Sequence, residues 1–125
     1  MLSTDHVKTL PSGIAAIHIL AGQNNTLVSL SDWQFRLIKT MSGGVCGLKG
    51  HLRGTSESGT RTATRIAQLA LKQGFRDVFV YIRGFGPGRE TAFRTLVASG
   101  LNILKITDRT PIPHGGCRPR KARRI

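Results

Sequence analysis

Ile14 to Leu20 is an apolar run broken only by His18, and Thr26 to Ser31 alternates polar with apolar residues. Such patterns predict two strands, joined as a hairpin through Gly22-Gln-Asn-Asn25. Phe35 to Met41 predicts a third strand. The stretch from Ser42 to Gly59 then carries six glycines in eighteen residues together with Lys49, His51 and Arg53. It predicts a long loop, and loops of that length inside a domain are usually functional or disordered. From Thr60 to Gln73 the apolar residues Ala63, Ile66, Ala67, Ala70 and Leu71 recur at helical spacing, with Arg61, Arg65, Gln68 and Lys72 opposite. Val78 to Ile82 is continuously apolar and predicts a central strand covered on both faces. A second helix is expected from about Pro87 to Ser99 with Ala92, Phe93, Leu96 and Val97 inward, stopped by Gly100. Asn102 to Asp108 is the last strand. A three-strand meander followed by helix, strand, helix and strand predicts an α/β domain whose mixed sheet has parallel crossover connections.

The chain divides into an extension (1–12), an α/β domain (13–108) and a tail (109–125). The stretch from Thr110 to Ile125 holds three prolines, a Gly-Gly pair and five basic side chains without an acid. It has almost nothing to bury. Prolines hold such a segment extended, and arginines offer planar forks to phosphate oxygens.

Charge extends this picture to the whole domain. Nineteen Lys and Arg stand against six acids, a net charge of +13 in 125 residues. Five of those cations lie in the final eight residues, so fourteen are spread through the rest. The imbalance calls for a polyanionic partner. No segment has the apolar length of a membrane span, so nucleic acid is the stronger expectation. Two cysteines, Cys46 and Cys117, make no disulfide framework, and with no hydrophobic signal segment ahead of the domain a reducing intracellular compartment is expected.

Several constellations invite other chemistry. Arg83-Gly-Phe-Gly-Pro-Gly-Arg-Glu90 sits between a strand and a helix start, where backbone amides attract phosphate. Gly84 and Gly86 begin a dinucleotide fingerprint and Asp108 lies at a fitting distance, but Arg89 stands where the third glycine belongs. The alternative function is thus a small nucleotide-binding enzyme using the turn from Gly84 to Gly88. Cys46, His51, His114 and Cys117 could supply zinc ligands, yet neither half is a CxxC pair and two loops would have to converge. The histidines His6, His18, His51 and His114 form no recognisable acid–base pair with the few carboxylates. The Arg61, Arg65 and Lys72 face suits phosphate as well as solvent. Trp33 and Phe35 could stack on bases, though packing is their commoner role.

Asn24-Asn-Thr26, Gly47-Leu-Lys-Gly50, the Arg83 to Glu90 turn, Ile106-Thr-Asp-Arg-Thr-Pro-Ile-Pro-His114 and Gly116-Cys-Arg-Pro119 occur in an order that resembles the universal small-subunit ribosomal protein S-eleven family. The resemblance covers about residues 13 to 125. It implies a ribonuclease-H-like arrangement without nuclease activity, at the platform of the small subunit near the messenger exit, beside neighbouring platform proteins and bound to small-subunit ribosomal RNA. It implies no cofactor, no metal, no membrane and no small-molecule substrate. By position it implies RNA contacts at Asn24 and Asn25 in the hairpin and at Lys49 and Arg53 in the glycine loop. Arg83 and Arg89 around the turn join them, and the basic helix face adds Arg61 as a candidate apart from the resemblance. The tail adds Thr110, His114, Arg118, Arg120, Lys121, Arg123 and Arg124.

Three departures bear on this. The usual Pro-His-Asn-Gly is Pro113-His114-Gly115-Gly116, which keeps the turn because glycine also tolerates positive φ. The run from Thr55 to Gly59 differs from the common Ser-Thr-Pro-x-Ala-Ala and puts contacts at the helix start in question. The Arg-Pro-Arg-Lys-Ala-Arg tail is similar to mitochondrial members, so a mitochondrial matrix ribosome is expected, with bacterial cytoplasm or plastid as the alternative. The expected role is non-enzymatic. A basic RNA chaperone outside the ribosome is the remaining rival.

Overall fold

Strand β1 (Ile14–Ala21) turns back through Gly22 into β2 (Thr26–Asp32), and β3 (Leu37–Ser42) continues the meander. The Gly22 amide donates to the Asn25 carbonyl at 2.9 Å, while Asn25 Oδ1 accepts the Thr26 amide at 2.9 Å. The backbone bond closes the hairpin, and the asparagine side chain caps the first amide of the returning strand. A 3₁₀ turn (Gly50–Gly54), α1 (Ser56–Lys72), β4 (Asp77–Arg83), α2 (Gly88–Ala98) and β5 (Asn102–Asp108) complete the order. This computed structural model describes residues 14–32, 34 and 36–124. The extension (1–12), Trp33 and Phe35 lie outside the described residues, and with them the expected start of the third strand.

The five strands form one sheet in the order β3-β2-β1-β4-β5. β1 pairs antiparallel with β2 and parallel with β4, and β4 pairs parallel with β5. This is the mixed α/β sheet that the element order predicts. Both crossovers carry their helices to the same face, where α1 and α2 pack on each other and on the strands. The core lies between: Ile17, Leu30 and Val80 from adjacent strands meet Ile66 of α1 and Leu96 of α2, all fully buried.

Three expectations need correcting. The run from Val78 to Ile82 is not covered on both faces. Val78, Val80 and Ile82 are buried under the helices, whereas Phe79 and Tyr81 on the other face are half-buried. The run is continuous because Phe79 and Tyr81 bring rings to the helix-free face, where Tyr81 stacks on His18. Leu71 and Val97, placed inward by periodicity, are 43% and 53% exposed. Each sits at the margin of its helix's apolar stripe, where the partner element does not reach. Finally, α1 begins at Ser56, inside the expected loop. Gly59 is a poor helix former in isolation. Here a side chain on it would put a Cβ 2.5 Å from the Gly88 carbonyl, so the residue that reads as a loop signal is what lets the two helices touch.

The burial pattern makes a direct test. Ile66→Ala should lower unfolding free energy by about 2–5 kcal/mol in a denaturant titration, as removal of a buried branched side chain does. Leu71→Ala should cost less than about 1 kcal/mol. Equal losses at both positions would contradict this helix orientation.

Candidate nucleic-acid interface

The carboxyl ends of the adjacent parallel strands β1 and β4 bring distant parts of the chain together. As β4 leaves the sheet, the Gly86 amide donates to the Ala21 carbonyl at 2.9 Å. A Cβ on Gly86 would stand 2.1 Å from the Gly22 carbonyl oxygen, so only glycine lets the turn lie against the hairpin. Gly54, at the end of the 3₁₀ turn, packs on Gln23 and Asn24 of the same hairpin. The Gly43 amide donates to the Thr26 carbonyl, anchoring the start of the glycine loop beside β2. The hydroxyl of Thr91 in α2 donates to the Ser56 carbonyl at 2.9 Å, which sets the first turns of the two helices side by side. The hairpin tip, the glycine loop, the Gly84 turn and both helix N-termini thus share one end of the sheet.

Most candidate residues gather at this end. Asn24, Lys49, Arg53 and Arg83 are exposed there, while Asn25 is half-buried with its side chain accepting the Thr26 amide. Arg53 Nε donates to the Gly50 carbonyl. Arg61, one turn into α1, pairs with Glu57 at 2.8 Å with both side chains about half exposed, a contact too solvated to hold the guanidinium firmly. Positive helix ends add to the attraction for phosphate.

Arg89 and Thr110 have a different place. The Arg89 guanidinium donates to the Gly84 carbonyl at 2.9 Å and to the Asp108 carboxylate at 3.1 Å. Thr110 donates to Asp108 Oδ1 through both its amide (2.9 Å) and its hydroxyl (2.7 Å), and the same hydroxyl accepts the Gly84 amide at 3.1 Å. These bonds latch the glycine turn to the point where the tail departs. They turn Arg89 toward its own chain, so its closest duty is to hold the turn. From Pro111 to Arg124 the chain has neither helix nor strand and every residue is exposed, which leaves His114, Arg118, Arg120, Lys121, Arg123 and Arg124 open to a partner.

The same bonds argue against a nucleotide cradle. The amides of Gly84 and Gly86, which would take a phosphate, are already bonded to Thr110 and Ala21. Asp108, placed to bind a ribose, is held by Arg89 and Thr110 instead. Among the described residues no three of His, Cys, Asp and Glu converge as metal ligands, and Cys46 is buried while Cys117 is exposed in the tail. His18 is half-buried, with its Nε2 3.1 Å from Ser31 Oγ and its ring stacked on Tyr81. Burial and the nearby Arg109 charge lower its pKa, which keeps it a neutral packing residue.

Two residues escape sequence reasoning. Phe85 is 71% exposed at the tip of the glycine turn, with the Arg89 guanidinium 5.2 Å from its ring. An aromatic between glycines and flanked by arginines was its signal, and such a ring can stack on a base. Arg109 lies 4.0 Å over the Tyr81 ring, a contact across the sheet that no local pattern announces.

The hydroxyl and amide of Thr110, and then Arg89, hold the exposed Asp108 carboxyl down to about 2. A group whose folded pKa is depressed stabilises the fold above its ordinary value of 3.8 and loses that contribution as pH falls toward 2. By carbon-detected NMR titration Asp108 should therefore titrate near 2 in the native chain. Thr110→Val, which removes the first of these bonds, should raise the midpoint; an unchanged midpoint would show the latch is not formed in solution.

Comparison with known proteins agrees with the resemblance in the motifs. The family described as Ribosomal protein S11 matches residues 13–124. The small ribosomal subunit protein uS11c of Cyanidioschyzon merolae is 47% identical over 110 residues, covering 88% of this chain and 91% of that relative. Small ribosomal subunit protein uS11 of Thermosynechococcus vestitus is 46% identical over 118 residues, 94% of this chain and 89% of the relative. That of Endomicrobium trichonymphae is 42% identical over 118 residues, 94% and 90% of the two chains. Matched from the first residues of β1 to the end of the basic tail, the chain belongs to the ribosomal protein S11 family.

Proposed function

We propose that this protein is a structural, non-enzymatic constituent of the small ribosomal subunit that binds ribosomal RNA through one end of its sheet and its C-terminal tail. Family membership carries the ribosomal part of this reading. The observation that carries the RNA part is the gathering of Asn24, Lys49, Arg53 and Arg83 beside two helix N-termini, with a wholly exposed basic tail leaving nearby. The mechanism is electrostatic and geometric. Exposed arginines and lysines neutralise backbone phosphates, and the rigid glycine-packed end holds them in register so that the RNA is bound in one conformation. Thr110 starts the tail from a fixed point, and the prolines keep it extended, which limits the entropy lost on binding.

The finer assignments rest on the motifs. The platform beside the messenger exit, with other platform proteins as neighbours, follows from the family resemblance of the hairpin, turn and tail segments. A mitochondrial ribosome is favoured by the Arg118-Pro-Arg-Lys-Ala-Arg123 sequence, whereas the relatives named above are bacterial or plastid proteins. Sedimentation of a native lysate, fractionated by organelle, tests both levels. Stoichiometric, ribonuclease-sensitive comigration with small-subunit RNA at high salt is expected. A salt-stripped, slowly sedimenting pool would favour the chaperone.

The tail also makes a quantitative prediction. Changing Arg118, Arg120 and Arg123 together to alanine should flatten the slope of log affinity against log salt by up to about three, since each lost phosphate contact removes roughly 0.9. The thermal midpoint of the free domain should barely move, because these side chains are exposed. An unchanged salt slope would take the tail out of the interface.

A further inference from the structure

The Phe85 ring is 71% exposed, yet the turn that carries it is fixed on both sides. Ahead of it, the Gly84 amide donates to the Thr110 hydroxyl at 3.1 Å, and the Gly84 carbonyl accepts the Arg89 guanidinium at 2.9 Å. Behind it, the Gly86 amide donates to the Ala21 carbonyl, and the Gly86 carbonyl accepts the Arg89 amide at 3.2 Å. A Cβ on Gly84 would stand 2.3 Å from the Ala21 carbonyl oxygen, and Gly86 is as tightly enclosed, so neither neighbour of Phe85 can carry a side chain. The ring therefore projects from a turn pinned to the hairpin, to the root of the tail and to α2.

The ring also has two unlike faces. The Arg89 guanidinium lies over one of them, 5.2 Å from the centroid, and is itself held by the Asp108 carboxylate at 3.1 Å. A cation over one face attracts the ring and orients it. With that face covered and most of the ring still exposed, the opposite face is open. Exposed Arg83 comes two residues before the ring, and the hairpin with exposed Asn24 lies against the turn. An open aromatic face beside open cations is the complement of an unpaired nucleobase, on a strand whose phosphates the cations take. Pairing with Asp108 offsets the Arg89 charge, so this corner contributes stacking and not phosphate binding.

We propose that Phe85 is a stacking platform for one unpaired base of the bound RNA, with Arg89 as the positioning residue behind the ring. The base rests on the open face while Arg83 takes a flanking phosphate. Because the turn is set before binding, little conformational freedom is lost when the base docks. Every base has a π face, so the contact anchors a single-stranded nucleotide without reading its identity. This rests on the reading of the chain as an RNA-binding constituent of the small subunit, and it adds a contact to a base where that reading supplies contacts to phosphates.

The test measures the affinity of the full-length chain for small-subunit ribosomal RNA across a salt series, with inorganic polyphosphate as a ligand that has phosphates and no bases. Phe85→Ala should weaken RNA binding about tenfold, the size of one lost base–aromatic stack, with the salt slope and the polyphosphate affinity unchanged. Phe85→Trp should keep the original affinity, and Phe85→Leu, apolar but without a π face, should behave as alanine does. Each free variant should keep its cooperative melt, since the ring is exposed. RNA affinity indifferent to Phe85→Ala, as when the ring meets a protein neighbour instead, would overturn the stacking role alone. Equal RNA affinity of the leucine and tryptophan variants, or a parallel loss of polyphosphate binding, would overturn it too, by reducing the ring to an apolar contact or to a support of the turn. A chain without salt-dependent binding to the RNA would overturn the RNA reading and this inference with it.

Discussion

The parallel ladder between β1 and β4 is the contact on which the rest of the molecule depends. β1 is the middle strand, so it joins the antiparallel meander on one side to the crossover half on the other. Its register with β4 sets Leu20 against Arg83, and this brings the hairpin tip level with the glycine turn. Both then have to turn in the same small space. Glycine at position 86 is the consequence, because any side chain there would overlap the hairpin backbone. A ladder formed for the core thereby determines which loops become neighbours at the surface.

Acidic residues have a similarly structural distribution. Among the described residues Asp32 holds Arg36, Glu57 holds Arg61, Glu90 holds Arg94, and Asp108 holds Arg89. Asp32 is buried and accepts both the amide and the side chain of Arg36, closing the exit of β2. Asp108 ties a turn to the root of the tail. With so few carboxylates, and four of them paired with a nearby arginine, the remaining cations keep their charge for a partner. The surface therefore keeps a basic end and a basic tail open to a partner.

Much of this was legible from residue order. Alternation and helical spacing place the strands and helices within a few residues, and the family motifs supply the chemistry of the hairpin, turn and tail. The misreadings share a cause. Gly59 looks like loop, Val97 looks like core, and the run from Val78 to Ile82 looks covered on both sides. Each judgement depends on what lies across from the residue, and periodicity carries no information about a partner element's reach. Phe85 and Arg109 escaped for the same reason, since one is defined by what fails to cover it and the other by a ring on a different strand.

By itself, then, the sequence determined the element order, the excess of positive charge, a tail without helix or strand and the family, because these follow from local spacing, composition and short ordered motifs. Tertiary structure decided which cations remain open, which glycines serve contact and not flexibility, and where the apolar surface is left uncovered. Arg83 and Arg89 are equivalent in the motif, yet one is exposed and the other is bonded to Asp108 nineteen residues away. Only the folded sheet places that carboxylate within hydrogen-bonding distance, and charge pairing follows distance in space rather than distance along the chain.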